Sequence, residues 1–305
     1  MIISIAVTEG SLMSVITSTT NDAPAMVHTY AQAQDDLQQR PVRKQNVRTP
    51  VQNVTGRVLL VVPPVVLALL LLVSWYVSTT FGHVPSLFLP PPGDVLASLT
   101  DGLGTGMYLR DALVVTVQES VFGFFLAVGV ALPLGYGLAK SRLLSITIQP
   151  YLSAGQAIPA LVIAPFLVLW LGYGLVPNMV ICMLVVLFPM VINTILGVQT
   201  IDPALTDAAR VEGASGWSLL THIEFPLALP SLLAAVRTGF TLSITGAIVG
   251  EFVSGGNTGL GSLVQQGLHQ YNTPLMFATI IVLAILAALY YGVTWLLVKL
   301  AAIVY

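Results

Sequence analysis

The sequence predicts an all-α polytopic membrane protein with about six transmembrane helices. Three observations predict it. Of 305 residues, 56% are hydrophobic and 8% are charged, against about 25% charged in an ordinary soluble domain. Mean hydropathy is +0.89. The 11 Lys and Arg and 13 Asp and Glu are gathered so that long windows hold none. So few charges cannot cover a soluble body of this length, which excludes a soluble globular enzyme, and the hydropathy excludes a disordered chain.

The elements follow in order. Residues 1–57 are rich in Ser, Thr, Gln, Asn and Asp and read as a mostly disordered tail. They lack the basic start and long apolar core of a signal peptide, and Met13 and Met26 are alternative starts. The membrane domain is expected over 58–305. No Asp, Glu, Lys or Arg lies between Arg57 and Asp94, Glu119 and Lys140, Arg142 and Asp202, or Glu251 and Lys299. A spanning helix needs about 20 mostly apolar residues. The first span is therefore placed at 58–80 and the second at 112–138. Between them 81–111 reads as a loop, because Pro90-Pro91-Pro92-Gly93 disfavours a helix. The window after Arg142 holds two spans, 149–171 and 177–197, divided by the turn Gly172-Tyr173-Gly174-Leu175-Val176-Pro177. The fifth span is 230–252. Segment 255–261 is polar and glycine-rich, so the sixth span is 275–300.

Lys and Arg placement orients the chain. Arg40, Arg43, Lys44, Arg48, Arg57, Lys140, Arg142, Arg210 and Lys299 fall on one side of a six-span topology, and only Arg110 falls on the other. Both termini and the tail are therefore expected in the cytoplasm. Arg237 lies inside the fifth span near its cytoplasmic start, where it pairs with a carboxylate or snorkels inward.

The one sizeable polar cytoplasmic loop within the membrane domain runs over about 199–229. Asp202 is a good N-cap and Pro203 suits the first helical position. Leu205, Ala208, Ala209 and Glu212 then share one side of a short helix. Gly213 ends it in the left-handed conformation. Ser215 can cap a second helix on which Trp217, Leu220 and Thr221 share a face, and Pro226 and Pro230 bound the next span.

Asp207-Ala208-Ala209, three residues, Gly213, nine residues, Ile223, one residue, Phe225-Pro226 resembles the EAA loop of bacterial ABC importer permeases. Asp replaces the usual Glu at 207, and Phe the usual Leu at 225. The likeness extends over about 60–300. Pro90-Pro91-Pro92-Gly93-Asp94-Val95 and Trp170-Leu171-Gly172-Tyr173-Gly174 are similar to the branch that moves nitrate, taurine, alkanesulfonates, thiamine pyrimidines and riboflavin. The resemblance implies a type I importer permease in the bacterial inner membrane, multi-pass and non-catalytic. Asp207, Ala208, Ala209, Arg210, Glu212 and Gly213 would then dock into an ABC ATPase subunit. It also implies an ATPase dimer, an extracytoplasmic solute-binding protein and a second permease copy, giving a homodimer in the lipid bilayer. No cofactor is expected on this chain; ATP and Mg belong to the partner. None of Lys44, Lys140 and Lys299 follows a glycine, so no G-x-x-x-x-G-K-[ST] phosphate loop exists here.

Ionisable residues inside a membrane are costly and tend to face a cavity or a partner. Gln118, Glu119, Gln156, Asn193 and Glu251 are the candidates for a substrate path. For Gln156 and Asn193 the alternative is a structural hydrogen bond, and for Glu119 an interhelical hydrogen bond or reach of the outer surface. Glu251 reads as an outer gate or a contact with the binding protein, against a carboxylate snorkelling to the interface. Glu119 preceded by Gln118 looks like the riboflavin and thiamine-precursor branch, so a vitamin-like heterocycle is the favoured solute. Sulfonate, taurine or nitrate is the alternative, and an ion-coupled secondary transporter the more remote one. No internal repeat is visible, which counts against that last reading. Gly123, Gly129, Gly135 and Gly137 suit close helix packing, within the subunit or at a dimer seam. Ser254-Gly255-Gly256-Asn257 reads as a turn. Cys182 reads as a small apolar residue. The four histidines show no metal-ligand spacing, and no basic–aromatic patch suggests nucleic acid.

Overall fold

The computed structural model describes residues 54–82, 84–254 and 259–304, with side chains from 62 to 301 within those ranges. The readings made of residues 1–53, His83 and 255–258 lie outside the described residues. By its internal contacts the chain divides into Met1–Ala68 and Leu69–Tyr305. The described residues are helical apart from turns. Among the described residues five helices are long and apolar enough to cross a membrane, or six crossings if one bent pair counts as one.

Helix α1 is Val54–Thr80, and it begins inside the segment read as tail. In the second unit Trp75 Nε1 donates to Pro90 O at 3.0 Å. Helix α2, Pro92–Leu103, corrects the expectation of a loop across 81–111. Pro91 is its N-cap and Pro92 its first residue. At that position the missing N–H is one the helix does not need, and the fixed φ already suits it. Helix α3, Tyr108–Lys140, is the second span, with Pro133 accommodated inside it.

The third expected span, 149–171, is not one helix. It is α4, Arg142–Ala157, and α5, Ala160–Leu171, bent by 90° at the break. Pro159 causes the break: it lacks an N–H and pushes Ile158 out of the helical region. Ile158 is indeed extended, at φ −77°, ψ 119°. Helix α6 is Leu175–Gln199. Helix α7, Pro203–Val211, and the four-residue α8, Gly216–Leu219, form the loop. A π-helical turn, Leu220–Glu224, joins α8 directly to α9, Phe225–Ser254. Pro226 and Pro230 therefore lie inside one long helical stretch instead of bounding it. The wide turn is the accommodation, because a proline inside a helix removes a regular bond and crowds the turn before it. There Phe225 N–H reaches back to Leu220 O. Helices α10, Leu260–His269, and α11, Thr273–Val304, complete the order.

Helices α3, α6 and α9 pack most extensively. Cys182 on α6 sits between Gly123 of α3 and Gly246 of α9. A Cβ on Gly246 would lie 2.6 Å from Cys182 Cα, and Gly135 meets Thr194 in the same way. These pairs run α6 parallel to α3, and Gly239 against Met190 runs it antiparallel to α9. Two buried clusters flank this trio. One holds Leu109, Ile244, Leu260 and Val282; the other holds Phe124, Val186, Met190 and Ile195. Phe240 joins them, stacked on Tyr290 at 4.1 Å and edge-on to Phe124 at 4.9 Å. Gly129 and Gly137 instead face open space.

Gly246→Val should therefore force α6 and α9 apart and cost about 2–3 kcal/mol. Gly129→Ala should stabilise by about 0.5–1 kcal/mol, because only the backbone entropy changes. Thermal melts of the detergent-purified protein check both. Equal stabilities for the two variants would contradict this packing.

Candidate functional site

The loop between α6 and α9 is built from its caps. Asp202 Oδ1 accepts from Ala204 N at 2.9 Å and opens α7 behind Pro203. Gly213, at φ +96°, closes it. Gly213 N–H bonds Arg210 O at 3.0 Å and Ala214 N–H bonds Ala209 O at 2.9 Å. That pair of bonds is a Schellman motif, which satisfies the last carbonyls of the helix. Ser215 occupies the N-cap position of α8 but makes no side-chain cap bond. Ala209 is buried and anchors α7, while Ala208, Glu212 and Gly213 are exposed. Asp207 and Arg210 are exposed and pair with each other at 3.2 Å. Two large apolar side chains stand out of the loop, Val211 at 90% exposure and Trp217 at 77%.

The loop is fastened from below by a carboxylate. Glu224, in the π turn, is 2% exposed. It accepts from Lys140 Nζ and, at 2.8 Å, from Tyr136 Oη. Both partners lie in the last turns of α3. Beside them is a largely apolar cavity of about 620 Å³, walled by Leu132, Pro133, Trp217, Leu220 and Phe225. Reading the sequence missed this tie. The available signal was a charge of each sign at two span ends on one side of the topology.

Glu119 and Glu251, candidates 132 positions apart, meet near the other end of α3 and α9. Both are 0% exposed. Their carboxyls interact across the α3–α9 seam. Asn178 Nδ2 donates to Glu119 Oε1 at 2.8 Å. Glu251 also bonds Thr116 Oγ1, at 2.6 Å, and accepts from Gly261 N. Leu260 N donates to Thr116 Oγ1 at 2.9 Å, so the network ties α10 to α3 and α9.

The other three candidates do not join them. Gln118 is exposed on α3 and Asn193 is half-buried on α6. Gln156 lines a cavity of about 380 Å³ at the α4–α5 break, with Thr245 of α9. Arg237 is not near the start of its helix, as the expected span placed it. The helix begins earlier, so Arg237 lies about 18 Å along α9 from Phe225. Its guanidinium covers the Tyr291 ring at 4.3 Å. Among the described residues the ion pairs are Lys140–Glu224 and Asp207–Arg210, so no carboxylate there pairs with Arg237.

The fastening should be asymmetric. Lys140 is 37% exposed and can be solvated without its partner, whereas Glu224 cannot. Lys140→Met should cost about 3 kcal/mol by stranding a buried carboxylate. Glu224→Gln should cost about 1 kcal/mol, because the amide keeps a hydrogen bond. Melting temperatures falling in the reverse order would refute this account of the tie.

Residues 129–301 match the family described as binding-protein-dependent transport system inner membrane component. The chain is 39% identical over 232 residues to the riboflavin transport system permease protein RibX of Chloroflexus aurantiacus, covering 76% of this chain and 86% of that one. It is 29% identical over 232 residues to the formylaminopyrimidine transport permease protein ThiX of Halalkalibacterium halodurans, covering 74% and 89%. Among solved structures it is similar to the MetNI methionine ABC transporter in inward-facing conformations. There the TM-score is 0.58 at 22% identity, over 64% of this chain and 96% of that one. That structural likeness concerns the fold, whereas the family match and the RibX identity concern descent. With its apolar spans and its capped loop helix, the chain belongs to the family of inner-membrane permease subunits of ABC importers.

Proposed function

We propose that this permease moves a heterocyclic solute of the riboflavin or thiamine-precursor kind into the cytoplasm as one half of a homodimer. A separate solute-binding protein delivers the solute. A separate pair of ATPase subunits hydrolyses ATP with Mg and drives the change of access. Both termini and the α7 loop face the cytoplasm in this reading, following the Lys and Arg distribution.

The observation that carries it is the state of α7. The helix is capped at both ends, tied to the core through Ala209 and, beyond α8, through Glu224. Yet it leaves Asp207, Arg210 and Val211 outside. A surface that is rigid, part-charged and part-apolar suits reversible docking of a protein partner. The preference for a heterocycle rests on the RibX and ThiX likeness. The family membership replaces the ion-coupled alternative.

Val211→Asp tests the docking surface without disturbing the fold, since the side chain touches little. Its melting temperature should stay within about a degree of the parent protein. Retention of the ATPase subunit in gentle detergent should fall at least about tenfold, which corresponds to about 1.4 kcal/mol. Unchanged retention and unchanged uptake would refute docking at α7. Gly213→Leu should also stop ATP-coupled uptake while the chain still inserts, because a side chain strains the left-handed turn that ends α7. Uptake of riboflavin by the complete complex in proteoliposomes tests the solute class.

A further inference from the structure

Arg237 has no role in any contact that holds the fold at either end, and its surroundings are specific. Thr238, Thr241 and Thr245 follow it at helical spacing on the face of α9 opposite the packed glycines, Thr238 and Thr245 exposed and Thr241 half-buried. Arg237, Thr238, Thr241 and Tyr291 line a concavity of about 390 Å³ between α9 and α11. Thr245, one turn on, lines the cavity that holds Gln156.

We infer that this face of α9 lines the translocation path, and that Arg237 donates to a carbonyl and ring-nitrogen edge of the heterocyclic solute. The inference rests on the proposed transport of such a solute. Depth is the first argument. Arg237 lies about 18 Å from Phe225 and about 26 Å from Ser254, far from either end of α9. Hydrocarbon is a costly neighbour for a guanidinium. Two carboxylates deep in the apolar helices, Glu119 and Glu251, are fully buried and offer no counter-charge to a second copy of the chain.

Donor and acceptor chemistry is the second argument. Stacking on Tyr291 occupies a face of the guanidinium and leaves its in-plane N–H edge, which suits two adjacent acceptors. The threonines are the complement. Thr238 Oγ1 donates to Ala234 O at 3.0 Å. Thr241 Oγ1 donates to Thr238 O at 2.9 Å or Arg237 O at 3.2 Å. Their protons are committed to the helix, so their outward lone pairs only accept. A bare oxyanion meets the donor and none of the acceptors. A ring bearing carbonyl, ring nitrogen and N–H or O–H groups meets both. The concavity is of a size that holds such a ring.

The test uses the complete complex of permease, ATPase and binding protein in proteoliposomes. Cys182 is fully buried and serves as a silent background. Thr238→Cys and Thr241→Cys should react with an anionic, membrane-impermeant thiol reagent at least tenfold faster than Leu71→Cys on α1. Riboflavin should slow that labelling. Arg237→Gln should lower riboflavin uptake at least tenfold, and Arg237→Lys, which keeps charge but loses the fork, should not restore it. Labelling no faster than at Leu71→Cys overturns the path assignment, whatever the solute. Wild-type uptake in Arg237→Lys or Arg237→Gln overturns the recognition role. A parent complex that hydrolyses ATP but moves no riboflavin refutes the proposed solute instead, and the labelling still decides the path.

Discussion

Close backbone approach among α3, α6 and α9 is the constraint on which the rest of the structure depends. In a bilayer, apolar side chains gain little by leaving lipid, so helices associate through packing and hydrogen bonds. Cys182 between Gly123 and Gly246 is the tightest expression of this. A larger residue at either glycine would separate the backbones and remove the contacts of the whole seam. Cys182 Sγ also lies 3.3 Å from Ser243 O, so even the one cysteine contributes a weak bond to the seam.

With the trio held, its two ends can be tied by polar groups. One end carries the Glu119–Glu251 pair with Asn178 and Thr116, and the other carries Glu224 with Lys140 and Tyr136. Along α3, Glu119 and Lys140 are about 30 Å apart. Each network joins elements that packing alone would leave separate: α10 at one end, the α7–α8 loop at the other. Such groups are expensive to bury unless every partner is in place. Each therefore specifies an arrangement of elements as well as stabilising it. A push on α7 would pass through Glu224 to the end of α3, and through the π turn to α9. Arg237 and the threonines ride on that same helix.

The parallel course of α3 and α6 has a further consequence. The chain must return across the membrane between them, and it does so through the bent pair α4–α5. The bend, forced by Pro159, opens the cavity lined by Gln156 and Thr245.

Sequence alone determined the all-α class with about six apolar crossings, the capped α7 and the αL turn at Gly213. These depend on local properties: about 20 apolar residues, a cap, a glycine at a left-handed position. It also determined the family, because the Asp207 to Pro226 spacing spans one contiguous stretch. Where the local rule was ambiguous, reading failed locally. Pro226 and Pro230 read as span boundaries, yet they lie within one helical stretch, and the proline run expected to hold a loop has Pro92 as the first residue of α2. Only tertiary structure decided the fate of the polar residues. Glu119 and Glu251 are far apart in sequence and became each other's partners, while Gln118, beside Glu119, faces outward. Lys140 and Glu224 found each other across 84 positions. Arg237 found the Tyr291 ring on α11. Whether a polar group inside an apolar span is buried or lines a path depends on which neighbours supply hydrogen bonds, and neighbours are set by packing in three dimensions.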